Sequence, residues 1–178
     1  MIDHCGRSID YLRISITDRC NLRCVYCMPE GGVQSFRHED VLSYEEIVRV
    51  VRQAAALGVK HLRVTGGEPM ARKGCLELVD MLHHIPGIET IALTTNGLLL
   101  DGRIAEAKAK GLTSLNISMD SVDAETFRAM TRGGDVNTVL HVIDEALAAG
   151  LKVKINAVPV RDMNDAGLTQ VAELARTR

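Results

Sequence analysis

The sequence predicts an α/β fold built on a parallel sheet, because strand-like and helix-like segments alternate along its 178 residues. Five segments of strand character are each followed by a helical segment, and a right-handed helical crossover is the usual link between parallel strands. Most helical segments end at glycine or before proline. No linker or low-complexity stretch divides the chain, so one domain is expected, with 46% hydrophobic residues to form its core.

The elements are expected in a regular order. Residues 11–17 alternate apolar and polar side chains, which indicates a strand. A capping box at Ser43-Tyr-Glu-Glu46 opens a helix that Gly58 ends. Residues 29–40 form the one long irregular connection. Further strands are expected at residues 61–65, 88–95, 114–119 and 152–159, and further helices at 75–84, 101–110, 123–131, 137–149 and 165–176.

Three cysteines follow the first predicted strand in a C-x₃-C-x₂-C spacing: Cys20, Cys24 and Cys27. Thiolates hold iron–sulfur clusters, usually four for a four-iron cluster, so three ligands leave one iron open to a small molecule. A structural zinc site needs a fourth ligand, which would have to be Cys5, Cys75 or a histidine. A disulfide framework is disfavoured because the first residues carry no apolar signal segment. The spacing therefore favours an iron–sulfur cluster.

The predicted strands carry a second signal. Strand parity places Arg13, Arg63 and Lys154 opposite the apolar side chains of their strands. Buried parallel strands are usually apolar on both faces, and an unpaired buried cation costs several kcal/mol. Three cations on one face therefore indicate an anionic ligand such as phosphate. An open sheet with one solvated face is the alternative interpretation.

Unusual motifs end the middle strands of the predicted sheet. The second strand runs into Thr65-Gly66-Gly67-Glu68-Pro69, the third into Thr94-Thr95-Asn96-Gly97 and the fourth into Ser118-Met119-Asp120-Ser121. Each motif alone is compatible with a plain turn. Adjacent glycines also let backbone approach a ligand, and active sites of such folds lie at the carboxyl ends of the strands. The cysteines after the first strand and these three motifs make four neighbouring motifs, which together predict a shared site.

Composition excludes several classes of function. The formal net charge is −2 and the pI is about 6.3, which argues against general attraction to nucleic acid or membranes. Aromatic residues make up 3% of the chain and tryptophan is absent, so stacking platforms for single strands are scarce. No apolar run reaches about 18 residues. A soluble, cytoplasmic protein is expected.

The motifs resemble those of a known family. Cys20-x₃-Cys24-x-Tyr26-Cys27 with Gly66-Gly67-Glu68-Pro69 is similar to the radical S-adenosylmethionine superfamily. Residues 10–29, together with residues 63–69 and 93–97, resemble more narrowly the GTP 3′,8-cyclase family of molybdenum-cofactor biosynthesis. The resemblance runs from about Gly6 to the end. It implies that residues 1–178 are a core domain of radical SAM type, a partial TIM-like (β/α) barrel with five parallel strands and a sixth missing from this chain.

The resemblance also implies the roles of individual residues. The cluster ligands would be Cys20, Cys24 and Cys27, with S-adenosylmethionine chelating the open iron of a 4Fe–4S cluster. The contacts to S-adenosylmethionine would be Tyr26, Gly67 and Ser118. The contacts to GTP would be Arg13, Arg63, Thr94 and Lys154. Family resemblance and strand parity therefore select the same three cations.

The implied enzyme is a lyase. An electron from the cluster would cleave S-adenosylmethionine to methionine and a 5′-deoxyadenosyl radical, which would abstract a ribose hydrogen from GTP, and the sugar carbon would then attack C8 of guanine. The resemblance implies a flavodoxin-like or ferredoxin-like electron donor and is compatible with a homodimer. Alternatives are another radical SAM enzyme that modifies a cofactor or peptide, and a non-enzymatic iron–sulfur or zinc protein.

One feature departs from the family. Its members continue beyond the length of this chain with a sixth strand and a region whose cysteines hold a second 4Fe–4S cluster, and no second cysteine set lies within these 178 residues. We therefore expect the chain to be the amino-terminal part of such an enzyme. By itself it is expected to complete little or no cyclisation of GTP.

Overall fold

A computed structural model describes residues 2–178 and contains one five-stranded sheet. The strand order is sequential and every neighbouring pair is parallel, which confirms the predicted α/β architecture. The strands are β1 (Tyr11–Ser15), β2 (His61–Thr65), β3 (Thr90–Thr95), β4 (Ser114–Ser118) and β5 (Lys152–Asn156). Because each strand joins the next through helical segments, all carboxyl ends meet at one edge of the sheet.

Six α-helices accompany the sheet within residues 2–178. They are α1 (Tyr44–Ala56), α2 (Cys75–His83), α3 (Ile104–Ala109), α4 (Ala124–Thr131), α5 (Val136–Ala148) and α6 (Leu168–Thr177). The capping box predicted at α1 is present: the Glu46 amide donates to Ser43 Oγ at 3.2 Å, and the Ser43 amide donates to Glu46 Oε2 at 2.8 Å. Among the helices of residues 2–178, none is both long and apolar enough to cross a bilayer.

The hydrophobic core lies between the sheet and these helices. Val64, Leu93 and Leu115 are fully buried in the central strands and belong to the same core cluster as Val51 of α1 and Val79 of α2. One face of each central strand is thus apolar and covered, as the alternating pattern predicts. The opposite face of these strands holds polar side chains, among them Arg63, Thr94 and Asn116.

Some boundaries were predicted wrongly. The fifth strand ends at Asn156 rather than at residue 159, because the amide of Val158 donates to a side chain, Asp120 Oδ1, and Pro159 has no amide hydrogen. The third strand begins at Thr90 rather than at residue 88, because the Ile88 amide closes a turn onto Ile85. These differences arise from hydrogen bonds that the hydrophobic pattern does not encode.

Candidate active site

The cysteine loop, residues 18–28, follows β1 and lies against the carboxyl end of α4. The amide of Arg23 donates to the carbonyl of Thr131 at 3.2 Å, and the amide of Val25 donates to the carbonyl of Met130 at 2.9 Å. The guanidinium of Arg132 donates to the carbonyl of Arg23 at 2.9 Å. The last carbonyls of a helix have no partner within it, so this loop supplies the donors that they need.

The three cysteines lie in one loop, and a hydrogen-bonded turn joins Cys24 to Cys27. The amide of Cys27 donates to the carbonyl of Cys24 at 2.9 Å, and the amide of Leu22 donates to Cys20 Sγ at 3.4 Å. Burial, together with the charges of Asp120 and of the other two thiols, raises the pKa of Cys24 to about 11. Burial also raises the pKa of Cys20. A bound metal must displace these protons, because the thiolate is the ligating form.

The separation of the thiols bears on the zinc alternative. Within residues 2–178, the one set of three metal-ligating groups whose atoms all lie within 4.8 Å of one another is Asp101, His141 and Glu145 on the surface. Sulfurs around a single tetrahedral zinc, at about 2.3 Å from the ion, lie about 3.8 Å apart. The three cysteine thiols of the described loop are not such a set, and thiolate is the ligand type that iron–sulfur clusters use.

Gly66 and Gly67 are needed for packing between β2 and the cysteine loop. A Cβ atom on Gly66 would lie 2.5 Å from the carbonyl oxygen of Thr17, and one on Gly67 would lie 2.7 Å from that of Asp18 and closer still to that of Arg19. The amide of Gly67 donates to the Thr17 carbonyl at 2.7 Å. The sequence argument expected these glycines to leave their backbone available to a ligand. The amide of Gly67 is instead bonded to the loop that leads into Cys20.

A substitution at Gly67 tests this packing. We expect Gly67→Ala to lower the free energy of unfolding by about 1–3 kcal/mol, because its Cβ meets backbone that must shift. Gly31→Ala is the matched control, since a Cβ there meets nothing within 4 Å and should change stability by less than about 0.5 kcal/mol. Urea unfolding of both variants measures the difference. Equal stability of the two would contradict the packing role.

Glu68 holds the ends of two strands together. Its carboxylate is 1% exposed and accepts hydrogen bonds from the amide of Met70 at 3.0 Å, from Thr95 Oγ1 at 2.8 Å and from the amide of Asn96 at 2.8 Å. Burial raises the pKa of Glu68, and these hydrogen bonds oppose that shift. Asn96 Nδ2 in turn donates to Asn21 Oδ1 at 2.8 Å, which ties the cysteine loop to the end of β3.

The polar face of the sheet contains the three predicted cations. Arg13 lies opposite Arg63 in the register of β1 and β2, and Asn116 lies opposite both Thr94 and Lys154 in that of β3, β4 and β5. Since partners in a parallel register point to the same side, the five side chains share one face, which confirms the parity argument. Arg13 and Lys154 are exposed on the edge strands, whereas Arg63 is half-buried.

Two buried polar atoms on this face have no hydrogen-bond partner within residues 2–178: Arg63 Nε and Thr94 Oγ1. If the side-chain amide of Asn116 is turned so that its oxygen faces β2, that oxygen accepts from the terminal nitrogens of Arg63. The Arg63 guanidinium also lies 5.5 Å from the ring centre of Tyr11. A buried polar atom without a partner costs about 1–3 kcal/mol. A polar ligand that reaches Arg63 and Thr94 would remove this cost.

Residues 14–175 match the family model of the radical SAM superfamily. The chain belongs to the radical SAM superfamily. Two curated relatives are GTP 3′,8-cyclases. The one from Geobacter sulfurreducens is 49% identical over 99% of this chain, and the one from Pelotomaculum thermopropionicum is 51% identical over 100%. The alignments cover 53% and 55% of those two proteins, so this radical SAM chain spans about half the length of the curated relatives it matches.

Solved structures with different sequences share this fold. Streptococcus suis SuiB bound to S-adenosylmethionine superposes with a TM-score of 0.76 over 92% of this chain and 37% of its own, at 20% identity. Methylornithine synthase (PylB) gives 0.72 over 92% of this chain and 50% of its own, at 18% identity. The radical SAM chain described here therefore contains five strands of a partial TIM-like barrel.

The residues that the resemblance assigned to S-adenosylmethionine lie around the carboxyl edge of this radical SAM sheet. Tyr26 stands between two cysteines of the loop, Gly67 follows β2, and Ser118 ends β4 opposite Asn156 of β5. Sequence reasoning missed the contacts of Glu68 and Asn21. It also missed the hydrogen bond from the Tyr26 hydroxyl to Asp120. These contacts join segments far apart in the chain. The polar Glu68 within a glycine motif was the one available signal.

Cys75 lies in the core of this radical SAM chain and not in the cysteine loop. Its side chain is 2% exposed at the start of α2, and burial raises its pKa to about 12. Because the thiolate is the reactive form, burial and the raised pKa should both make Cys75 slow to react. We expect iodoacetamide to modify the exposed Cys5 at least about 100-fold faster than Cys75 in the metal-free native chain, as measured by peptide mass spectrometry. Similar rates would contradict this placement.

Proposed function

We propose that the chain forms the cluster-bearing part of a GTP 3′,8-cyclase of molybdenum-cofactor biosynthesis. The observation that carries the proposal is the cationic polar face with its unpartnered atoms at Arg63 and Thr94. Such a face suits a phosphorylated substrate better than a neutral one. The cyclase relatives, about half identical over nearly the whole chain, support this choice within the superfamily.

Cys20, Cys24 and Cys27 are proposed to hold a 4Fe–4S cluster, and Tyr26, Gly67 and Ser118 to contact S-adenosylmethionine. When bound, these groups supply a 5′-deoxyadenosyl radical that removes a hydrogen atom. The chain's own part is to orient and shield them. The contacts of the cysteine loop with α4, β2 and β3 hold the three thiols in one loop, and the half-buried positions of Cys20 and Cys24 limit access of water.

Arg13, Arg63, Thr94 and Lys154 are proposed to contact GTP. Arg13 and Arg63 stand side by side on adjacent strands, whereas Lys154 lies three strands away from Arg63. With about 4.8 Å between strands, that separation is about 14 Å. An extended nucleoside triphosphate can bridge such a distance. Its phosphates would lie near one end of this row of cations, and its nucleoside would lie between Arg63 and Lys154.

Isotope transfer tests the proposal. The chain with its reconstituted cluster is mixed under reducing, oxygen-free conditions with S-adenosylmethionine and GTP deuterated on the ribose. We expect the 5′-deoxyadenosine to gain one mass unit with GTP and none with ATP labelled in the same way. Formation of 5′-deoxyadenosine without label from GTP would point to a different substrate, and no 5′-deoxyadenosine at all would argue against radical chemistry in this chain.

An external reductant is part of the proposal. Cys27 and Tyr26 are exposed at the surface of the cysteine loop, so a flavodoxin-like or ferredoxin-like donor can approach the proposed cluster from solvent.

Association of the chain as a homodimer is proposed as well. Size-exclusion chromatography with light scattering measures that state, and a mass equal to the 19.4 kDa monomer would contradict it.

A further inference from the structure

A buried carboxylate links the cysteine loop to the segment that follows β5, the strand at the other edge of the sheet. Asp120 follows β4 and is 2% exposed. Its Oδ2 accepts a hydrogen bond from the hydroxyl of Tyr26 at 2.7 Å, and its Oδ1 accepts one from the amide of Val158, beyond β5, at 2.9 Å. Both oxygens are thus engaged, one with the loop and one with the segment after β5.

Asn164 holds the backbone that carries this carboxylate. It is 3% exposed, and its Nδ2 donates to the carbonyl of Asp120 at 2.7 Å and to that of Val158 at 3.0 Å. Its Oδ1 accepts from the amide of Val160 at 2.7 Å. The Asn164 side chain therefore ties the backbone of Asp120 to that of Val158 and Val160. The Asp120 side chain is left with little freedom to point anywhere but toward Tyr26 and Val158.

The bond to Tyr26 lies at a sensitive point. Tyr26 separates Cys24 from Cys27, and its ring is 42% exposed, so packing alone fixes it weakly. Asp120 Oδ2 is the hydrogen-bond partner of its hydroxyl in the described structure. Asp120 also lies two residues after Ser118. The orientation of Tyr26 and the end of β4 are therefore set together by one side chain.

We propose that Asp120 is a positioning residue for S-adenosylmethionine: it holds the Tyr26 ring, and with it the turn from Cys24 to Cys27, in the orientation that receives the ligand. Asn164 holds Asp120 in place for this purpose. The inference rests on the proposed function, since it assumes that this turn carries the cluster. It adds a role for two residues outside the cysteine and glycine motifs.

Hydrogen exchange of the metal-free chain tests the geometry without the cofactor. We expect Asp120→Ala to speed exchange at least about tenfold both in residues 24–28 and at the amide of Val158, because each loses its acceptor or anchor. Tyr26→Phe should speed exchange in residues 24–28 alone. Asp123→Asn is the control, because Asn still caps α4 through the amide of Thr126 and should change neither region.

Binding of S-adenosylmethionine to the chain with its reconstituted cluster tests the role. Asp120→Ala and Tyr26→Phe should each weaken binding about tenfold, and the double variant should be no weaker than about tenfold, since both remove the same hydrogen bond. Asp120→Asn should stay within about threefold of the native chain, because its amide can donate to Tyr26 while its oxygen accepts from Val158. If Asp120→Ala fails to fold, the comparison of Asp120→Asn with Tyr26→Phe still tests the positioning role.

Several results would overturn the inference. An additive loss of about 100-fold in the double variant would show that the two residues act independently. Equal losses in Asp120→Asn and Asp120→Ala would show that charge, not position, matters. If the native chain binds no S-adenosylmethionine, the proposed function fails, and the exchange experiment still decides whether Asp120 orders the turn. If the native chain binds and Asp120→Ala binds equally well, only the positioning role fails.

Discussion

Replacing Cys20, Cys24 or Cys27 singly with Ala is expected to abolish the brown chromophore and the cleavage of S-adenosylmethionine. Two remaining thiolates cannot hold a four-iron cluster that needs at least three protein ligands to leave a single open iron. Iron and sulfide analysis of oxygen-free reconstituted samples, with visible absorption, measures the loss. We expect iron content to fall at least about tenfold in each variant.

Cys5→Ala is the matched control for these variants. Cys5 is an exposed free cysteine in a turn near the amino terminus, and its loss should leave the cluster and the cleavage reaction unchanged. A loop variant that keeps both the full iron content and the cleavage activity would show that its cysteine is not a ligand. A loss in Cys5→Ala equal to that in the loop would identify a different ligand set.

Arg63→Ala is expected to weaken GTP binding at least about tenfold while S-adenosylmethionine is still cleaved. A charged hydrogen bond is worth about 1.5–3 kcal/mol, and Arg63 offers an Nε with no partner in the described structure. The proposed site of cleavage is at the cysteine loop, at the carboxyl edge of the sheet, whereas Arg63 is two residues before the end of β2. Titration with GTP and measurement of 5′-deoxyadenosine on the same sample separate the two effects.

Arg52→Ala serves as the control for Arg63→Ala. Arg52 is an exposed arginine of α1, on the helical side of the sheet, and its loss should change neither measurement. Equal loss of GTP binding and of cleavage in Arg63→Ala would mean that Arg63 supports the fold or the cluster. Unchanged GTP affinity would remove Arg63 from the proposed substrate site.

Strand parity and motif order were sufficient to predict the sheet and the shared face of Arg13, Arg63 and Lys154. Both rest on local periodicity, since a parallel register carries the parity of one strand onto the next. The same reasoning treated all three cations as buried. Arg13 and Lys154 are exposed in the described structure, so water as well as an anion can satisfy their charges.

The reasons for the glycine and aspartate motifs were not predictable from the sequence. Gly66 and Gly67 could serve a ligand or a neighbouring backbone, and only the tertiary structure shows that Thr17 and Asp18 leave no room for a Cβ atom there. Asp120 was noted as part of a strand-end motif, but its bond to Tyr26 joins residues 94 positions apart. Contacts of that separation follow from the tertiary fold and leave no periodic trace in the sequence.

Cys20, Cys24 and Cys27 are proposed to hold a cluster whose open iron binds S-adenosylmethionine. Electron–nuclear double resonance on the reduced cluster, with S-adenosylmethionine carrying ¹⁵N in its amino group, measures this binding. We expect a nitrogen coupling that appears on addition of the labelled compound and is absent from the Cys24→Ala sample. A native sample that contains the cluster but shows no such coupling would contradict it.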